Sequence, residues 1–125
     1  MISHAKTRIT ILELMQNLHR IGEAHYFPGY SARVRRQQAE IFAAIVIAHA
    51  KRRASTASGI ARNLGLPRAT VERRMALLLQ DGLIERKKNG YCVNEAKVNG
   101  PSSEQLAKKA RQMVLKAAKF LADLE

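Results

Sequence analysis

The residues best suited to chemistry fall in one stretch, from Arg68 through Gln80. Placed on a helix at about 100° per residue with Val71 inward, Met75, Leu78 and Leu79 lie beside it, while Ala69, Thr70, Arg73, Ala76 and Gln80 face the other way. Short side chains around a central arginine let a helix enter a groove about 12 Å wide and still reach base edges. The chemistry implied is recognition of a duplex. Arg73 is the expected main base reader, bidentate to guanine, with Thr70 and Ala69 against bases or a thymine methyl. Arg68 and Arg62 are expected on phosphates, and Arg74 lies on the flank. Glu72 runs against this chemistry unless Arg68 or Arg73 pairs with it or it accepts from a cytosine amino group. Leu77 points towards the outer side without an assigned role.

Other chemistries lack their residues. His4, His19, His25 and His49 are dispersed. His19 and Glu23 share a helix face with His25 nearby, but without Cys or Asp company they do not make a ligand set, and a small metal enzyme built on them is the remotest competitor. Cys92 stands on a strand as a small half-buried side chain, or as a redox-sensing thiol helped by neighbouring cations. The chain has no phosphate loop, nucleophile elbow or paired acid–base carboxylates. No catalytic residue, metal or cofactor is expected.

Charge agrees with the first reading. The 125 residues carry 22 Lys and Arg against 10 Asp and Glu, a formal +12 at pH 7, and such an excess seeks polyanions. Between Ser31 and Gly90 stand 13 basic and 4 acidic residues, so the middle half holds +9 of that total. Arginine-rich, well-solvated surface helices are the competing account. The length suits one ordinary domain. The longest unbroken apolar run, Ile41 to Ala48, is far below the roughly 20 residues of a membrane span, so no membrane partner is expected. Met1 to Lys6 lead into Arg8 and Glu13 rather than an apolar signal core, and the single Cys92 cannot form an internal disulfide. Both features point to the cytoplasm.

The elements that must position the basic helix are legible from spacing. Ile11, Leu14, Met15, Leu18 and Ile21 form one stripe of a first helix over Thr7–Glu23. It ends in His25-Tyr26-Phe27-Pro28-Gly29-Tyr30. A second helix is expected from Ser31 or Ala32 to about Lys51, with Val34, Ile41, Ile45 and Ala48 inward and Phe42, Val46 and Ile47 widening the apolar surface, at the centre of the fold. The basic connector Lys51-Arg52-Arg53 either touches phosphate or serves only as favourable charge at a helix C-terminus. Ser55 or Thr56 caps a short third helix that stops at Gly65. The fourth helix, Arg68 to Gln80, ends at Asp81-Gly82. Asn89-Gly90 suits the corner of a type I′ hairpin, so Leu83–Lys88 and Tyr91–Asn94 are expected to pair, with Arg86, Lys87 and Lys88 at a tip that grips the DNA backbone or minor groove. A solvated tip charged to protect an edge is the alternative. Ser102 with Gln105 has the form of a capping box for a last helix. There Leu106, Ala110, Met113, Ala117, Phe120 and Leu124 make a heptad seam, with Val114 and Leu121 alongside.

Ala61, Gly65 and Val71 have the spacing of a helix-turn-helix: a small residue where the helices touch, a glycine in the turn, and an apolar anchor. With the hairpin behind it, the expected fold is mainly α, a winged helix-turn-helix with a small β-hairpin wing and N- and C-terminal dimerisation helices. It is expected as a single domain over 1–125, with 7–30 as the first dimerisation helix and connector, 31–98 as the winged helix-turn-helix and 99–125 as the last dimerisation helix. The order of elements, with the run Leu78 to Arg86, resembles the multiple-antibiotic-resistance regulator (MarR) family. It departs from that family in its wing, whose tip is only Lys87-Lys88-Asn89-Gly90. The resemblance implies a DNA-binding transcriptional regulator acting as a homodimer through Ile11, Leu14, Leu18, Leu106, Ala110, Met113, Ala117, Phe120 and Leu121. The seam folding back on its own chain is the alternative. It also implies a small-molecule effector, with Tyr26, Phe27 and Tyr30 either lining its pocket beside Met15, Leu18 and His25 or plugging the joint between the first two helices. A winged-helix module for RNA or a protein partner is the competing function.

Overall fold

Capping and apolar spacing carry the chain into six helices and one ribbon in the computed structural model, which describes residues 4–124. The order is α1 (His4–Tyr26), α2 (Ala32–Ala50), α3 (Ala57–Leu64), α4 (Arg68–Gln80), β1 (Ile84–Lys87), β2 (Gly90–Val93), α5 (Glu95–Val98) and α6 (Pro101–Ala122). This is the mainly α winged helix-turn-helix expected from the sequence. By internal contacts the chain divides into two compact units, Met1–Pro28 with Pro101–Glu125, and Gly29–Gly100.

The first unit pairs the two ends of the chain. Ser103 Oγ lies 3.5 Å from His25 Nε2, so the end of α1 meets the start of α6 and the helices run antiparallel. Leu14, Leu18 and Ile21 of α1 and Leu106, Ala110, Met113, Ala117 and Leu121 of α6 are half-buried. The heptad seam therefore packs on α1 of the same chain, apart from Phe120, which stays 48% exposed. Neither helix has a fully buried residue. Ile9, Ile11, Leu12, Met15, Val114 and Leu115 also remain exposed. The α6 start departs from the expected capping box: Pro101 already opens the helix and Ser102 is inside it, because proline lacks an N–H and its fixed φ suits the first helical position.

The second unit is built on α2. Ser31 caps it, accepting from Val34 N at 3.4 Å. Gln38, Ile41, Phe42 and Ile45 form its buried stripe and pack on α3, α4 and β2. Val46 and Ile47 are exposed instead of widening that stripe, since a 3.6-residue period turns them away from Ile41 and Ile45. Ile60, Ala61, Val71, Met75, Leu78, Leu83, Ile84, Cys92 and Val93 complete the core.

The hairpin corner differs from expectation. The register Ile84↔Val93, Glu85↔Cys92, Arg86↔Tyr91 and Lys87↔Gly90 makes Lys88-Asn89 the corner. Neither of those residues has a positive φ, so the turn is not type I′. Gly90 serves another purpose. Ser55 bridges to Tyr91 with N–H···O bonds of 2.9 and 2.7 Å in the two directions. A Cβ on Gly90, whose φ is 143°, would collide with the Ser55 carbonyl. The short α5 was not foreseen: Asn94, read as strand, caps it through Lys97 N at 3.3 Å.

Candidate nucleic-acid interface

The turn that sets α4 against α3 follows from two local choices. Thr56, not the buried Ser55, caps α3 by accepting from Gly59 N at 3.1 Å. Gly65 ends it at φ 69°, ψ 31°, left-handed geometry that glycine adopts without steric cost. Ala61, the small residue of the motif, is 8% exposed, and Val71, its anchor, is fully buried.

With Val71, Met75 and Leu78 buried, α4 turns Arg68, Ala69, Glu72, Arg73, Ala76 and Gln80 to the outside, and Thr70 lies half-buried at the edge of that face. The outward face is the one expected from spacing. Arg73 Nη2 donates to Thr70 Oγ1 at 3.3 Å, so the two expected base-contacting side chains stand together. Glu72 finds its partner in Arg68, whose Nε donates to Glu72 Oε1 at 2.8 Å one turn away. That bond offsets the acid's charge and holds one edge of the guanidinium, while Arg68 remains 66% exposed. Arg74 is half-buried and its Nε donates to Gln37 on α2 at 2.8 Å, so its first role is to tie α4 to α2. Arg62 is exposed on α3.

The ribbon presents the remaining cations. Arg86, Lys87 and Lys88 are all exposed. The Arg86 guanidinium lies over the ring of its cross-strand partner Tyr91, 5.6 Å from the centroid, within cation–π reach. Lys87 Nζ is 3.7 Å from Glu85 Oε1. Between this face of the ribbon and α4 lies a cleft of about 410 Å³, lined among others by Ser58, Arg68, Glu72, Ala76, Arg86 and Tyr91. Tyr91 is the residue that sequence reasoning missed. Its signal, an aromatic opposite an arginine across a ribbon, was hidden by the misplaced corner, which set Arg86 opposite Val93.

The His25 and Tyr26 rings meet edge to face at 4.5 Å, and Tyr26 and Phe27 are tilted at 6.2 Å. Phe27 is fully buried. Tyr30 belongs to the second unit, where its hydroxyl donates to Asp81 Oδ2 at 2.9 Å. That hydrogen bond, then burial and the carboxylate charge, push the phenol above its ordinary pKa. Cys92 is buried and unpaired by any disulfide. Among the described residues no group of three or more His, Cys, Asp or Glu is placed to hold a metal ion, and no helix is long and apolar enough to cross a membrane.

Comparison with known families agrees with this geometry. Residues 46–88, about a third of the chain, match the IclR helix-turn-helix domain. The match runs from the end of α2 through α3 and α4 to the ribbon tip. It points to a winged-helix family other than the MarR family of the sequence resemblance, and the domain it names binds DNA and is not catalytic. No curated protein and no solved structure matches the chain. The protein thus carries a winged helix-turn-helix, similar over residues 46–88 to the IclR domain, and is a DNA-binding transcription regulator.

Proposed function

We propose that the protein reads a specific duplex sequence as a homodimer, with α4 in the major groove. Arg73 is the main base reader and Thr70 and Ala69 complete the contact. Arg62, Arg68, Arg86, Lys87 and Lys88 hold phosphates, and Arg74 braces the helix from its flank. The observation that carries this reading is the division of α4 between a buried Val71–Met75–Leu78 stripe and an outward face of short side chains around Arg73. Exposed Ile9, Ile11, Leu12, Met15, Val114, Leu115 and Phe120 support pairing of two copies through α1 and α6, the arrangement of the MarR-like resemblance. Two recognition helices related by a two-fold axis call for a near-palindromic site with half-sites about 10 bp apart. The protein is placed in the cytoplasm with its DNA.

Selection of bound duplexes from a random pool with the purified protein tests the reading. A palindromic consensus of that spacing is expected, and enrichment of no sequence overturns it. Control by a small-molecule effector belongs to the same proposal, on the strength of the resemblance. Aromatic acids are expected to shift both melting temperature and operator affinity, and a null result in both removes it.

A further inference from the structure

We infer that a second cleft, behind the ribbon, binds a phosphate group. Side chains alternate across a two-stranded ribbon. The pair Arg86 and Tyr91 therefore occupies one face, towards α4, while Glu85 and Lys87, with Cys92 opposite Glu85, occupy the other. Against that other face lies a cleft of about 500 Å³, lined by His49, Arg52, Arg53, Lys87, Cys92 and Glu95 together with small residues.

Its three cations come from two separate elements. Arg52 and Arg53 sit on the turn that ends α2, fixed by Arg52 N donating to His49 O at 2.9 Å and Arg53 N to Ala48 O at 2.8 Å. Lys87 reaches in from β1, where Glu85 Oε1, outside the lining, lies 3.7 Å from its Nζ. The one acid in the lining, Glu95, is engaged by His49 at 2.8 Å. Favourable charge at a helix C-terminus accounts for cations on the turn but not for Lys87 on a different element. Nor does the turn itself call for Arg52, whose φ of 58° glycine would hold at lower cost. Two guanidiniums and an ammonium converging on one concavity suit a phosphate oxygen cluster, which takes several charge-assisted hydrogen bonds at once. The volume admits a group as large as a nucleotide.

That phosphate has two sources, the backbone of the bound duplex or a free phosphate compound. The first rests on the DNA-binding reading above and the second does not. The test compares the full chain with the double variant Arg52→Gln/Arg53→Gln. A control, Lys108→Gln/Lys109→Gln, removes the same charge from exposed positions of α6. Each protein is titrated calorimetrically with inorganic pyrophosphate and adenosine 5′-monophosphate. Each is also titrated with a random-sequence duplex over a range of salt.

A free phosphate source gives saturable one-to-one binding that weakens at least tenfold in the cleft variant and not in the control. A backbone source makes the slope of log affinity against log salt shallower by about 1.8 in the cleft variant alone, from two lost contacts at roughly 0.9 each. If cleft variant and control behave alike in both titrations, the proposal is overturned. Should the double variant melt early, the single variants Arg52→Gln and Arg53→Gln repeat both titrations, with an expected slope change of about 0.9 each, and Lys87→Gln repeats the calorimetric one alone. If the parent binds no duplex, the regulator reading fails while the calorimetric arm still decides the cleft.

Discussion

Arg73 and Thr70 share a hydrogen bond on the outward side of α4, so the longer side chain is partly ordered before any base arrives. Arg73→Ala is expected to cost roughly 1–3 kcal/mol per subunit on the preferred duplex and to relax choice at one base position, whereas Lys87→Ala weakens all duplexes alike. Competition binding with single-base operator variants separates the two, and equal losses from Arg73→Ala on specific and random DNA would remove its role as reader. Glu72 acts in the opposite sense. Its carboxylate occupies Arg68, so Glu72→Gln should raise affinity for any duplex severalfold at low salt, with the gain shrinking as salt rises. Deeper inside, neither amide atom of fully buried Gln38 reaches a close hydrogen-bond partner. Its one interaction is a hydrogen bond to the Tyr30 phenol, too loose to satisfy the amide, that only tempers the upward shift of that phenol. Gln38→Met keeps the volume while removing an unsatisfied group that costs about 1–3 kcal/mol, and should raise the melting temperature by several degrees.

Elements differ in how plainly the sequence declared them. The α4 bounds are those expected from spacing, because a glycine stop before the helix, proline at its mouth and Asp81-Gly82 after it are all local signals. The outward face of that helix was equally legible, since one period and one anchor settle it. The ribbon was legible only in outline. Its corner and register depend on Ser55, some thirty-five residues away, whose carbonyl occupies the space beside Gly90, and no periodicity reports a contact of that kind. The same distant contact hid Tyr91 beneath Arg86. Gly90→Ala should therefore destabilise by roughly 1–3 kcal/mol, as a residue forced out of its φ/ψ region does, and a thermal melt checks it. The Tyr30–Asp81 bond belongs to this scale too, since it ties the start of α2 to the end of α4. The phenol pKa is raised in the folded state, so the bond's stabilisation is whole below the ordinary tyrosine pKa and is lost as pH rises through the shifted one. Tyr30→Phe should flatten that alkaline loss in melting curves followed above pH 9.

For the whole molecule, the heptad seam of α6 shows where sequence reasoning ran out. Spacing reveals an apolar stripe but not its partner, and here all of it but Phe120 is turned to α1 of the same chain. What remains for a second copy is the outer set that includes Leu12 and Leu115, both more than half exposed. If two copies pair there, Leu12→Asp with Leu115→Asp should give a folded monomer with weakened operator binding, measured by sedimentation and circular dichroism. Leu14→Asp, on the half-buried stripe, should instead unfold the pair of helices.

The first unit is assembled from α1 and α6, with the whole of Gly29–Gly100 between them in sequence. During synthesis α1 leaves the ribosome before Gly29–Gly100, and its helical partner α6 leaves after them. The DNA-reading unit can close while α1 waits with its apolar stripe in water, a state open to chaperones and proteases until α6 is translated.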